Sequence, residues 1–186
     1  MKTKLWGTYH TRAEEGLDDS LKKLGLKYVD CEPSFPRRRA NEVLLMHWPI
    51  PLPPTKENFP LLPNGDRHIL DENEWSYIDT WKSMEKLLET GKCKAIGVSN
   101  MSIAYLERLL KECKVVPAVN QVECHPLLPQ RELLDFCNQQ GILMQAYSPL
   151  GSTNSPFLSD LDLKKIAEEH DASIGQVLIS WQSKSL

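Results

Sequence analysis

The chain has 186 residues, 41% hydrophobic and 25% charged, enough for one soluble domain with a sizeable core. Its formal net charge is -3 with both signs interspersed, which excludes the basic footprint of a nucleic-acid binder or of a protein held on an anionic membrane. No segment reaches the ~18 consecutive apolar residues of a membrane span, and residues 1–6 hold no apolar stretch fit for a signal peptide.

The elements alternate along the chain. Residues 3–5 form a short strand edge. Thr11 is placed to open a helix, with Glu14 completing a capping box. Leu17, Leu21 and Leu24 recur at helical spacing until Gly25 stops them. The apolar run 43–46 is a predicted strand ending at His47. A Pro-rich loop, about 49–73, leads to a helix marked by Tyr77, Trp81, Met84 and Leu88 and stopped by Gly91. A strand over 95–98 ends in Ser99-Asn100, and Leu106, Leu109, Leu110 and Cys113 line the next helix. A strand over 118–122 ends near Glu123. Leu133, Leu134 and Cys137 mark a helix closed by Gly141, and a strand over 143–146 ends in Tyr147-Ser148-Pro149. Two helical stretches follow, one around 163–170 and one opened by Ser173 and running to Trp181.

Five short, nearly all-apolar strands alternating with helices indicate an α/β domain with a parallel sheet covered by helices. A doubly wound sheet and a barrel both fit that pattern. Every strand ends in polar or aromatic residues, as barrel strands do at the mouth that holds the active site. A doubly wound nucleotide fold would want a Gly-rich turn after a strand, and no G-x-G-x-x-G is present. The five cysteines, Cys31, Cys93, Cys113, Cys124 and Cys137, are odd in number and lack C-x-x-C spacing, so a reduced, cytoplasmic, core-filling set is expected. His125 beside Cys124 is poor geometry for one metal, and His10 and His68 fall in loops without a partner at ligand spacing, so no metal site is expected. The run Arg37-Arg38-Arg39, near Pro33 and Pro36, reads as a solvated loop.

The strand tips carry the chemistry. Lys4 at a barrel mouth could be partly desolvated and perturb a neighbouring acid, or it could be a surface lysine at a strand end. His47 can donate or accept a hydrogen bond to a substrate oxygen, or be a satisfied core histidine. Trp48 offers a flat apolar wall, and Pro49 fixes the exit from the strand. Ser99-Asn100, Asn120-Gln121 and Glu123 suit an uncharged polar ligand such as a carboxamide, while Ser99, Asn100 or Ser102 could equally cap the next helix. Tyr147 can stack on a planar ring.

Taken together, the segments Thr3-Lys4-Leu5-Trp6, Leu45-Met46-His47-Trp48-Pro49, Ala95-Ile96-Gly97-Val98-Ser99-Asn100, Pro117-Ala118-Val119-Asn120-Gln121-Val122-Glu123-Cys124-His125-Pro126 and Ala146-Tyr147-Ser148-Pro149-Leu150-Gly151-Ser152 resemble the aldo-keto reductases in order and spacing. The likeness is to fungal-type members acting on aldehydes, glycerol-related substrates or sugars, and it covers nearly the whole chain. It implies a (β/α)8 TIM barrel and reversible hydride transfer between NADP(H) and a small carbonyl or polyol. It implies that Lys4 lowers the pKa of a catalytic tyrosine and that His47 orients the carbonyl. Ser99, Asn100 and Gln121 would hold the nicotinamide carboxamide, with Tyr147 stacking on its ring. Ser148, Leu150 and Ser152 would line the cofactor's pyrophosphate tunnel, and Trp48 and Trp6 the substrate pocket.

The chain also departs from that pattern. The family's catalytic tyrosine and its lysine-pairing aspartate match positions upstream of Lys4, and neither Tyr9 nor Asp30 replaces them. The loop that grips the adenosine 2′-phosphate would follow Trp181-Gln182 and is not matched in this chain; NADP is expected from the resemblance alone, with NAD as an alternative. Residues 31–42 form an anomalous polar insert, which cannot lie mid-strand. Met101 stands where the family usually has an aromatic. The expectation is therefore one incomplete barrel domain over 1–186, with about five of eight strands and two open edges that seek a partner or aggregate. Two functions follow: an NADP-dependent reductase of aldehydes and ketones, or a non-catalytic truncated product that binds a nucleotide or a partner. Selectivity would come from the loop 49–73.

Overall fold

The computed structural model describes residues 3–28 and 43–185. The insert expected over 31–42, with Cys31, Arg37, Arg38 and Arg39, and Asp30 beside it, lies outside the described residues. Five strands form one sheet in chain order: β1 (Thr3–Leu5), β2 (Leu44–Met46), β3 (Ile96–Ser99), β4 (Val119–Glu123) and β5 (Leu143–Tyr147). All four pairings are parallel. Each crossover carries a helix: α1 (Ala13–Leu24), α2 (Tyr77–Glu89), α3 (Ile103–Glu112) and α4 (Arg131–Gln139). After β5 come α5 (Leu161–Glu169) and α6 (Ile174–Ser185), which pack on each other.

The two faces of the sheet follow from the period-2 alternation of strand side chains. Leu5, Leu44, Met46, Ile96, Val98, Val122 and Met144 join the large core under the helices, with Leu17, Trp81, Met84 and Leu106. Val43, Leu45 and Val119 form a second, smaller cluster. Lys4 alternates with Leu5 and registers with Leu45, so it belongs to this second face. Gly97 sits between Leu45 and Val119, and a Cβ there would lie 2.8 Å from the Val119 carbonyl oxygen. The close approach of backbone to backbone is the reason for glycine at that point of the strand.

Three expectations are corrected. Lys4 is the middle residue of β1, not its end. Thr11 does not cap a helix: residues Gly7–Arg12 wind into a 3₁₀ turn, and α1 opens at Ala13 without a side-chain cap. Glu14 instead pairs with Lys92 at 2.9 Å. The uniformly apolar, doubly covered strand holds for β2, while β5 is half-buried over 145–147 and begins at an exposed Leu143. Among the described residues β1 and β5 each pair on one side only, which leaves their outer edges open.

Elsewhere the local chemistry behaves as the residue types require. Ser76 and Asp79 form the capping box of α2, and Ser173 and Gln176 exchange the same bonds at the start of α6. The loop between β2 and α2 contains structure that its composition masked. Leu61 pairs antiparallel with Arg67 around Asn64-Gly65, where Gly65 takes φ +88°, and an Asn-Gly pair is a hairpin signal in its own right. The loop is tied to the end of β1 by Leu52 N–H donating to Gly7 O (3.0 Å) and Trp6 Nε1 donating to Asn58 O (2.7 Å).

His10, expected in a loop, is fully buried inside the 3₁₀ turn, and neither ring nitrogen has a hydrogen-bond partner among the described residues. Burial holds its pKa down at about 3 against the ordinary 6.5. The unfolded chain therefore binds a proton that the folded chain refuses between those two values. Stability is complete above pH 6.5 and falls by up to about 1.4 kcal/mol per pH unit as the pH drops toward 3. His10→Leu should flatten that limb in urea unfolding measured from pH 7 to pH 4. An unchanged slope would show that His10 is not the titrating group.

Candidate active site

β1 and β5 are the outermost of the five strands. In a flat sheet, four inter-strand spacings hold such strands about 19 Å apart, with side chains standing parallel and out of reach. Yet Lys4 Nζ lies 5.7 Å from the centre of the Tyr147 ring. The sheet is curled, and its inner face collects Lys4, His47, Ser99, Gln121 and Tyr147 at one mouth, as a barrel does.

A bonded network joins the strand tips. Asn100, held at φ +61° just after β3, donates from Nδ2 to the His47 carbonyl (2.9 Å) and to Ser99 Oγ (3.2 Å). Its Oδ1 accepts the Tyr147 hydroxyl (2.9 Å). Ser99 Oγ donates to the Gln121 carbonyl (2.7 Å), and Gln121 Nε2 donates to Gln145 Oε1 (2.8 Å). Four strands are thus cross-linked through side chains. The competing capping role falls to Ser102, whose Oγ accepts from Tyr105 N–H. Asn120 points the other way: its amide brackets the backbone of Met101, accepting from N–H at 3.4 Å and donating to O at 2.9 Å. Adjacent residues on one strand are split between structure and mouth by the pleat alone.

The charge state of the mouth follows from burial. Lys4 is half-buried, and desolvation lowers its pKa. His47 is pushed down to about 4, first by burial and then by the like charge of Lys4. Its imidazole is therefore neutral near pH 7. Burial, and then the charge of Glu123, raise the pKa of Tyr147. The group is a cation beside a neutral imidazole and a neutral phenol, a set that can polarise an electron-rich oxygen.

Beside it opens a cavity of about 270 Å³ whose lining includes Trp6, Trp48, Leu52, Phe59 and Arg67. Trp6 meets the His47 ring edge-on at 5.0 Å and the Phe59 ring at 5.0 Å. The expected pocket residues Trp6 and Trp48 are thus in one wall, and the loop 49–73 supplies much of the rest. Phe59 and Arg67 were not singled out from the sequence; the signal available was their position flanking the Asn64-Gly65 turn. Ser148, Leu150 and Ser152 lie on the loop after β5, outside this network, and Ser148 and Ser152 are held at positive φ. Ser152 and Leu150 are exposed, and neither Ser148 nor Ser152 makes a side-chain hydrogen bond among the described residues.

A family model described as the aldo/keto reductase family matches residues 2–185. D-galacturonate reductase of Hypocrea jecorina is 50% identical over 183 residues, covering 96% of this chain and 54% of that protein. Glycerol 2-dehydrogenase (NADP(+)) of Saccharomyces cerevisiae is 46% identical over 187 residues, covering 96% and 56%. Among solved structures, an aldose reductase from Giardia lamblia superposes with TM-score 0.86 at 31% identity, covering 98% of this chain and 57% of that one. The chain spans about half the length of the curated relatives it matches.

Proposed function

As the chain belongs to the aldo/keto reductase family, we propose that it carries the carbonyl-binding and nicotinamide-binding part of an oxidoreductase that reduces small aldehydes or ketones to alcohols. The observation that carries this reading is the convergence of Lys4, His47, Asn100 and Tyr147 at one mouth, beside an apolar cavity.

The residues at the tips fit a nicotinamide. Its primary carboxamide presents both donors and an acceptor, and Asn100 and Gln121 offer amides of matching kind. Ser99 gives its proton to the Gln121 carbonyl and accepts from Asn100, which makes it a positioning residue for Asn100. The Tyr147 ring would be the stacking face, and binding would exchange its hydrogen bond with Asn100 for one to the ligand. Ser148, Leu150 and Ser152 would lie along the diphosphate. When bound, the cofactor supplies the hydride; NADP is the form proposed, in keeping with the name of the yeast glycerol 2-dehydrogenase (NADP(+)).

Neutral His47 donates an N–H hydrogen bond to the carbonyl oxygen and orients it, and the proton that completes the alcohol is taken from solvent water. Asn100 fixes the backbone from which the imidazole projects, and the edge contact with Trp6 limits how the ring turns. Burial first, and the Lys4 ammonium second, keep His47 unprotonated, and the ammonium stabilises negative charge as it grows on the oxygen. Trp48 and the loop residues close an apolar wall against the rest of the substrate.

Following NADPH consumption with benzaldehyde tests the reading. Turnover is expected, with kcat/KM lowered about 10²-fold or more in His47→Ala. NADPH binding without turnover would leave a dinucleotide-binding chain and remove the reductase function.

A further inference from the structure

We propose that Arg67 forms an anion subsite in the cavity beside His47, so that the carbonyl substrates taken by this chain, and their alcohol products, carry a carboxylate; this rests on the carbonyl-pocket reading of the same mouth.

Arg67 lines the cavity together with apolar and aromatic residues. Its guanidinium lies 4.4 Å from the centre of the Phe59 ring. Phe59 in turn meets Trp6, and Trp6 meets His47, each at 5.0 Å. A chain of edge-to-face ring contacts therefore runs from the imidazole to Phe59, whose face carries the cation. Stacking holds the guanidinium plane and leaves its edge N–H groups for an acceptor in that plane.

Among the described residues no protein group takes that place. Arg67 is in none of the ion pairs of the described residues, and it donates no hydrogen bond among them. The neighbouring carboxylate, Asp66, is engaged by Asn64 Nδ2 at 2.7 Å. The hairpin fixes the backbone of Arg67 through its pairing with Leu61 and through His68 N–H donating to Pro60 O (3.0 Å). An arginine on a pinned backbone, stacked and without an acidic partner, beside an apolar cavity is suited to a bidentate carboxylate. The apolar lining explains why the charge on the ligand would matter: with little other polar surface to compete, a carboxylate at Arg67 orients the ligand, and its carbonyl is left for His47.

Equilibrium binding to the whole chain tests this, read by quenching of tryptophan fluorescence, since Trp6 and Trp48 line the cavity. The probes are phenylacetate and its neutral isostere phenylacetamide. Phenylacetate should bind about tenfold more tightly, and Arg67→Gln should abolish that preference while leaving phenylacetamide binding unchanged. Arg67→Lys should keep part of it, because it retains the charge and loses the fork. Equal affinities in the unaltered chain, or no binding of either probe, overturn the proposal. So does an equal weakening of both probes in Arg67→Gln, which would make the Phe59 stack merely structural. Preference kept in Arg67→Gln and lost in Lys4→Met would assign the anion to Lys4 and also overturn it. Reduction of benzaldehyde is measured separately. Turnover without carboxylate preference sinks the subsite alone, and carboxylate preference without turnover sinks the reductase reading alone.

Discussion

Lys4→Met is expected to lower kcat/KM for aldehyde reduction by about 10²–10⁴-fold and at the same time to raise the pKa of His47. The two effects have one source. The Lys4 ammonium is half-buried on the inner face of β1, and its positive charge is the second cause, after burial, that holds His47 at about 4. Methionine keeps most of the length and the apolar stem and removes the charge. His47 should then titrate closer to its ordinary 6.5 without reaching it, since burial remains. In the unaltered protein His47 stays neutral from pH 5 to pH 8, so its ionisation contributes no limb to the rate profile there. In Lys4→Met an acid limb should move up toward that window. Proton NMR of the His47 ring, read beside the rate profile, checks both. A large loss of rate with the His47 titration unmoved would disconnect Lys4 from the imidazole, and an unchanged rate would remove Lys4 from the chemistry.

Trp81→Ala should cost about 3–5 kcal/mol of stability, a large part of the roughly 5–15 kcal/mol that holds a domain of this kind together. Trp81 is fully buried in α2, at the centre of the cluster that joins the helices to the outer face of the sheet. Its removal leaves a void that the surrounding Leu, Met and Ile side chains cannot fill without moving. It also removes the indole N–H that the Val115 carbonyl accepts at 3.2 Å just before β4. Trp81→Phe separates the two contributions: it keeps much of the volume and loses the hydrogen bond, at about 1 kcal/mol for that bond. The shift of the urea midpoint, followed by circular dichroism, is the measurement. A loss below 1 kcal/mol in the alanine variant would mean that the outer core closes elsewhere.

Much of the fold could be read residue by residue. The apolar run over 43–46, the strand ending in Ser99-Asn100 and the leucine spacings of α1, α3 and α4 are local patterns, and local patterns are set by the periods 2 and 3.6 whatever the rest of the chain does. The start of α1 was misread because a 3₁₀ turn over Gly7–Arg12 has no distinctive period and took up the residues that resembled a cap. His10 was misplaced for the same reason: a turn of six residues with mixed polarity does not announce which side chain it buries.

The candidate site divides in the same way. The residue types at the strand tips, and through them the family, could be read from the order of motifs along the chain, because a barrel requires its chemistry at the ends of successive strands. Which of two neighbours serves the mouth could not. Asn120 and Gln121 read alike in sequence, and the pleat sends one to the Met101 backbone and the other toward Gln145. Ser99, Asn100 and Ser102 were equal candidates for a cap, and only the seating of α3 gives that task to Ser102. The tertiary structure alone decided that Lys4 and Tyr147, on the two outer strands, stand 5.7 Å apart, and that Arg67 joins the same cavity from a loop. The sequence by itself determined the alternation of elements and the chemistry carried at each strand end, since these depend on neighbours within a few residues. The curl of the sheet and the docking of a long loop depend on contacts far apart in the chain, and those are settled only when the whole inner face is packed.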